Sequence, residues 1–106
     1  MDKENIFKKI PATLPHELFE TILARGSFKL ERIVSRAHAT PPGKWYDQEK
    51  NEWVLLLSGS ACLRIEGSDH LTVLAPGDYL FLPAHLKHRV EWTAPDTDTI
   101  WLALHY

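Results

Sequence analysis

The sequence predicts an all-β domain, closed into an antiparallel barrel or a two-layer sandwich, with one helix ahead of it. Three observations carry that prediction. From Phe28 onward, stretches of β-favouring residues recur at close spacing. Pro, Gly, Asp and Asn clusters separate them, and no helical pattern intervenes. Only near the start do apolar residues recur at helical spacing.

The first element is that helix, expected over residues 15–25. Leu14, Leu18, Phe19, Ile22 and Leu23 would share one face. Pro15 suits the first turn, Glu17 and Glu20 favour the amino-terminal half, and Gly26 can supply a left-handed stop. Residues 1–27 thus read as an extension packed on a barrel formed by residues 28–106. In the barrel, Thr40 to Gly43, Asp47 to Asn51, Ser58-Gly59, Gly67 to Asp69, Ala75 to Gly77, Pro83 to Lys87 and Ala94 to Asp98 punctuate about eight short strands. Without crossover helices these must pair antiparallel, and closing the sheet removes exposed edges. Leu63 and Ile65 should face one way, Arg64 and Glu66 the other; His88, Val90 and Trp92 should share the inner face, opposite Arg89 and Glu91. Trp53 to Leu57 and Ile100 to Leu104 are apolar on both faces, so a cover on the outside is expected, and with it a homodimer.

At 106 residues the chain suits one core. A net charge of −2 provides no positive field for nucleic acid. Met1 to Ile10 is charged rather than apolar, so neither export nor a membrane span is expected. Cys62, the single cysteine, sits in a strand and reads as a packed side chain; together these features predict a reducing, cytoplasmic setting.

Two segments are more specific. Gly77 to His88 matches the pattern G(x)5PxG(x)2H(x)3N at Gly77, Pro83 and His88, with His85 at the turn glycine and Trp92 at the asparagine. Glu52 to Gly59 matches the end of G(x)5HxH(x)3,4E(x)6G, with Tyr46 and Gln48, or alternatively Trp45 and Asp47, where the histidine pair would stand. These are the two motifs of the cupin superfamily, which residues 28–105 resemble; a further likeness, to small stand-alone bacterial cupins, carries no substrate with it. The resemblance implies a double-stranded β-helix, or jelly roll. It also implies that the residues at these positions converge on a divalent first-row transition metal, here Gln48, Glu52 and His88.

Residues two apart on a strand share a face, so Tyr46 and Gln48 can both point inward. Replacing two imidazoles by a phenol and an amide weakens the ligand set, and a metal-free hydrogen-bond network of Tyr46, Gln48, Glu52 and His88 is the competing reading. Tyr46 or His85 could move a proton, and Trp92 and Tyr46 could contact a small-molecule substrate. His38, ahead of the Pro-Pro-Gly loop, could close over the barrel but reads more readily as a surface residue; His16, His70 and His105 carry no functional signal, and Asp78 reads as a turn residue. Two functions follow: a metal-dependent enzyme of oxygenase, isomerase or decarboxylase type, or a barrel that binds a ligand without turning it over.

Overall fold

The computed structural model describes residues 1–106 and contains eight strands and no helix: β1 (Leu18–Arg25), β2 (Phe28–Ser35), β3 (Glu52–Ser58), β4 (Ala61–Ile65), β5 (Leu71–Leu74), β6 (Tyr79–Leu82), β7 (His88–Thr93) and β8 (Thr99–His105). They form two antiparallel sheets, β1-β2-β8-β3-β6 and β5-β4-β7. Ile33, Val54, Leu56, Leu63, Leu82, Val90 and Trp101 fill the space between them. No helix is long and apolar enough to cross a membrane.

The helix expected over 15–25 is instead β1, paired with β2 from Leu18↔Val34 to Arg25↔Phe28. The reason is long-range. Gly26, at φ 59°, opens a two-residue hairpin turn whose geometry suits a glycine at its first position, and the paired strand continues the sheet. A short segment has little helical stability of its own, so the neighbouring ladder decides. The apolar spacing that imitated a helix arises from a β-bulge: the register slips between Thr21 and Leu23, leaving Ile22 unopposed and moving Leu23 to the opposite face from Thr21. Phe19, Ile22 and Leu23 remain about half exposed.

Residues 6–12 are a strap held on the outside of the large sheet by two arginines. The buried Arg32 guanidinium pairs with Glu20 and donates to the carbonyls of Ile6 (3.0 Å), Lys8 (2.6 Å) and Lys9 (3.3 Å). Arg36 donates to Ala12 O (2.9 Å) and Pro11 O (3.2 Å) and pairs with Asp98. Arg32→Met keeps the aliphatic stem but strands those carbonyls; it should cost about 2 kcal/mol in urea unfolding. It should also open residues 6–12 to limited proteolysis, which an unchanged digestion pattern would contradict.

Of the glycines, only Gly59 lies where an added Cβ would meet neighbouring atoms. It lies at φ +83°, and a Cβ there would sit 2.7 Å from Thr99 Cα and 2.8 Å from Asp98 O, against the Thr99 Oγ1 as well. The β3–β4 turn therefore presses directly on the start of β8.

Candidate functional site

A cavity of about 60 Å³ opens between the sheets, lined by apolar Phe19, Ile33, Val54, Leu63, Leu82, Val90 and Trp101. Its polar lining comprises Glu17, Glu31, Tyr46, Gln48, Glu52, His88 and His105, and includes no lysine or arginine. Phe19, Glu31, Gln48 and His105 also border a wider, more open mouth, where Lys29, Glu49 and Lys50 join them. The space thus narrows from a charged rim to a largely apolar interior.

His88 enters as the first residue of β7, with its side chain only 7% exposed. Its Nδ1 lies 2.9 Å from Leu86 O. A carbonyl only accepts, so Nδ1 carries the proton and Nε2 of the neutral ring keeps a lone pair. Tyr46 stacks on this ring, centroids 5.5 Å apart, because Tyr46 and His88 exchange backbone bonds in an isolated bridge (2.7 and 3.1 Å). Burial, then the charges of Glu17 and Glu52, push the Tyr46 phenol up, keeping it a neutral donor.

Glu52 begins β3, flanked in the ladder by Leu82 of β6 and His105 of β8. Its side chain is 8% exposed and its Oε1 is 3.9 Å from His88 Nε2, beyond hydrogen-bond reach. Burial pushes its carboxyl up; His105 and His88 pull it down without cancelling that effect, and Glu31 adds to the rise. An apolar wall on one side and a carboxyl without a hydrogen-bond partner on the other leave it reluctant to ionise.

A second acid–imidazole pair stands beside the first. His105 Nε2 is 2.7 Å from Glu31 Oε1, and Lys29 Nζ is 3.5 Å from Glu31 Oε2. Burial acts to raise Glu31, but the hydrogen bond and charge of His105, with Lys29, outweigh it and hold the carboxyl below its ordinary range. Neither residue was a candidate from sequence. The signal available was parity on β8: Trp101, Ala103 and His105 share the inner face.

Of the residues expected at the site, Tyr46, Gln48, Glu52 and His88 line this cavity, whereas Trp45 and Asp47 do not. Trp45 lies under the Arg89 guanidinium, 6.0 Å from ring centroid to Cζ. His85 occupies an exposed turn at φ 64°, bonded to Asp47 Oδ1 at 2.9 Å and absent from the lining. The expected inward Trp92 is corrected: it is 41% exposed on the outer face. Cys62 pairs with Trp92 but Leu63 with Val90, so Glu91 is an extra residue and the strand changes parity between Val90 and Trp92.

The divalent metal implied at Gln48, Glu52 and His88 is not matched by the donor set. No three His, Cys, Asp or Glu side chains converge on one point. His105 Nε2 is engaged by Glu31, which leaves one carboxylate, one imidazole and a neutral amide, a weak set for a resident first-row ion.

A family model described as Cupin domain matches residues 36–105. Among solved structures, a protein from Ralstonia eutropha JMP134, provisionally named a mannose-6-phosphate isomerase, is 45% identical with a TM-score of 0.94; the alignment covers 99% of this chain and 97% of that one. A cupin superfamily protein from Desulfitobacterium hafniense DCB-2 is 18% identical, with a TM-score of 0.72 and coverage of 91% and 82%. The DMSP lyase DddQ from Ruegeria pomeroyi DSS-3 is 20% identical, with a TM-score of 0.69 and coverage of 84% and 46%. The last two likenesses bear on fold alone. No curated protein matches the chain.

Proposed function

This chain belongs to the cupin family, and from that premise we propose that its barrel is a small-molecule enzyme of isomerase type. It moves a proton on a hydroxy-carbonyl compound with its own acid–base groups. One observation carries the reading: Glu52 and His88 Nε2 face one cavity 3.9 Å apart, each without a hydrogen-bond partner on its working atom. Between them the two groups can hold a proton on either member, the Glu52 carboxyl or the free Nε2 of His88. The unprotonated member takes a proton from the carbon next to the carbonyl, and the protonated member gives one to the carbonyl oxygen. Reversal at the neighbouring carbon completes the isomerisation, and both groups return to their starting states. Tyr46, fixed by its stack on His88, donates a hydrogen bond to the developing enediolate oxygen.

The cavity's size and charge narrow the substrate. About 60 Å³ accommodates roughly four to six heavy atoms. Three glutamates and no cation in the lining disfavour an anionic group inside, whereas Lys29 and Lys50 at the mouth leave room for a charged tail there. The name of the Ralstonia relative is compatible with that polarity: reacting carbons inward, phosphate outward.

The test is carbon-proton exchange in D2O, read by proton NMR, with glyceraldehyde, dihydroxyacetone and mannose 6-phosphate as probes. Exchange or interconversion above the buffer rate is expected with at least one probe and should persist in EDTA. Loss of activity to the chelator would return the metal-dependent reading. Thermal stabilisation by a probe with no exchange would favour the second reading, a binding barrel, which the largely apolar lining also suits.

A further inference from the structure

Residues 83–87, the turn between β6 and β7, are bonded to the segments that carry Tyr46, Gln48, Glu52 and His88. The His85 amide donates to Gln48 O (2.8 Å), and the Ala84 amide donates to Oδ1 of Asn51 (2.9 Å), the neighbour of Glu52. Leu86 O accepts from His88 Nδ1 (2.9 Å), the bond that leaves Nε2 free. The fourth tie is made by the His85 ring, which donates from Nδ1 to Asp47 Oδ1 (2.9 Å). Asp47 stands between Tyr46 and Gln48, which both line the cavity; neither His85 nor Asp47 does.

His85 makes this bond from an unfavourable backbone. At φ 64° it is left-handed, a conformation that glycine adopts freely and that a Cβ resists. The cupin motif has its turn glycine at this position. Core packing does not account for the imidazole, because the side chain is 66% exposed and its one hydrogen bond is to Asp47. An exposed pair of this kind adds little to stability. A side chain that strains the turn and stabilises the fold so little directs attention to the site.

We infer that His85 is a positioning residue. By holding Asp47 from outside the barrel, it fixes Tyr46 and Gln48 in the cavity, and with them the stack of Tyr46 on His88. The segment needs such a tie. It lies outside the strands, and the isolated bridge between Tyr46 and His88 is its only ladder contact. The consequence for turnover rests on the proton-transfer reading above; the consequence for the stack does not.

His85→Gly tests the role, because it removes the ring and the strain together. The variant should melt no lower than wild type, yet exchange carbon-bound protons at least about tenfold more slowly, since small displacements of a reacting group lose rate steeply. In proton NMR its assigned His88 ring resonances should move, because the stacked Tyr46 ring sets their shifts. His85→Asn tolerates the left-handed backbone and places an amide nitrogen where the imidazole Nδ1 stood, so it should restore both the rate and the resonances. Asp47→Ala should repeat the loss, and combining it with His85→Gly should be no slower than either alone. A His85→Gly variant with wild-type exchange and unmoved His88 resonances would overturn the proposal. So would one that melts well below wild type, which would make His85 a support of the fold. Should the wild type exchange no probe, the proton-transfer reading fails by itself, and the His88 resonances alone decide the role of His85.

Discussion

Glu52→Gln should lower the rate of carbon-proton exchange by about 10²–10⁴-fold, the usual contribution of a positioned acid or base, while raising thermal stability. Both effects come from one cause. Glu52 is buried between Leu82 and His105 in the ladder with no hydrogen bond to its carboxyl, and that setting makes ionisation costly. A glutamine of nearly the same shape removes the proton-transfer group and the cost together. The sign with pH follows from the raised carboxyl. Below its unfolded value of 4.5 the group is protonated in both states, and wild type and variant should melt together. As pH rises through the higher folded value, the wild type loses stability that the variant keeps. A gain of about 1 kcal/mol would appear as roughly 4–8 °C in the melting temperature. Differential scanning calorimetry from pH 4 to 8 checks it; a variant less stable than wild type at the top of that range would show that the Glu52 carboxylate is held by a partner.

Glu31 should behave oppositely, which makes it an internal control. His105 and Lys29 hold its carboxyl low, so its contribution is present above 4.5 and is lost as pH falls through the depressed folded value. Two carboxyls on strands either side of β8, facing one cavity, should therefore give pH dependences of opposite slope. The difference lies in their partners: an imidazole 2.7 Å away for Glu31, and one 3.9 Å away for Glu52.

Gly59→Ala should be the most destabilising single methyl in the barrel. The left-handed backbone alone costs an alanine about 1–2 kcal/mol. The added carbon would also overlap the main chain of Asp98 and Thr99, where no flexible side-chain end can move aside, and overpacking of this kind costs a further 1–3 kcal/mol or so. A total of about 3–5 kcal/mol approaches the whole stability of a small domain. Urea unfolding should show it, or the variant should fail to accumulate in soluble form. Thr99→Ala alone would not rescue it, because two of the three close atoms are backbone. A loss under 1 kcal/mol would mean that the β3–β4 turn can shift away from β8.

Much of this architecture was legible from local chemistry. The punctuation between strands, the motif glycines, and the Glu52 and His88 spacings are short-range features. Tyr46 and Gln48 line the cavity in preference to Trp45 and Asp47 because a single bridge to His88 sets the parity of that segment. Trp92 could not be assigned correctly by alternation, since one extra residue at Glu91 moves it to the outer face. The Leu18 to Leu23 spacing imitated a helix for the same kind of reason, with Ile22 as the extra residue. His105 looked bland because its partner, Glu31, lies 74 positions away in the chain.

By itself the sequence determined the all-β class and the approximate strand boundaries, because turns and two-residue alternation are written in neighbouring side chains; Glu52 and His88 stood out through the resemblance to the cupin motifs. Only the tertiary structure decided that β1 is a strand, which way Trp92 faces, and that Glu31 and His105 join the cavity. Each of those depends on register between distant strands. A shift of one residue there reverses every side chain beyond it, and no local pattern records where that shift occurs.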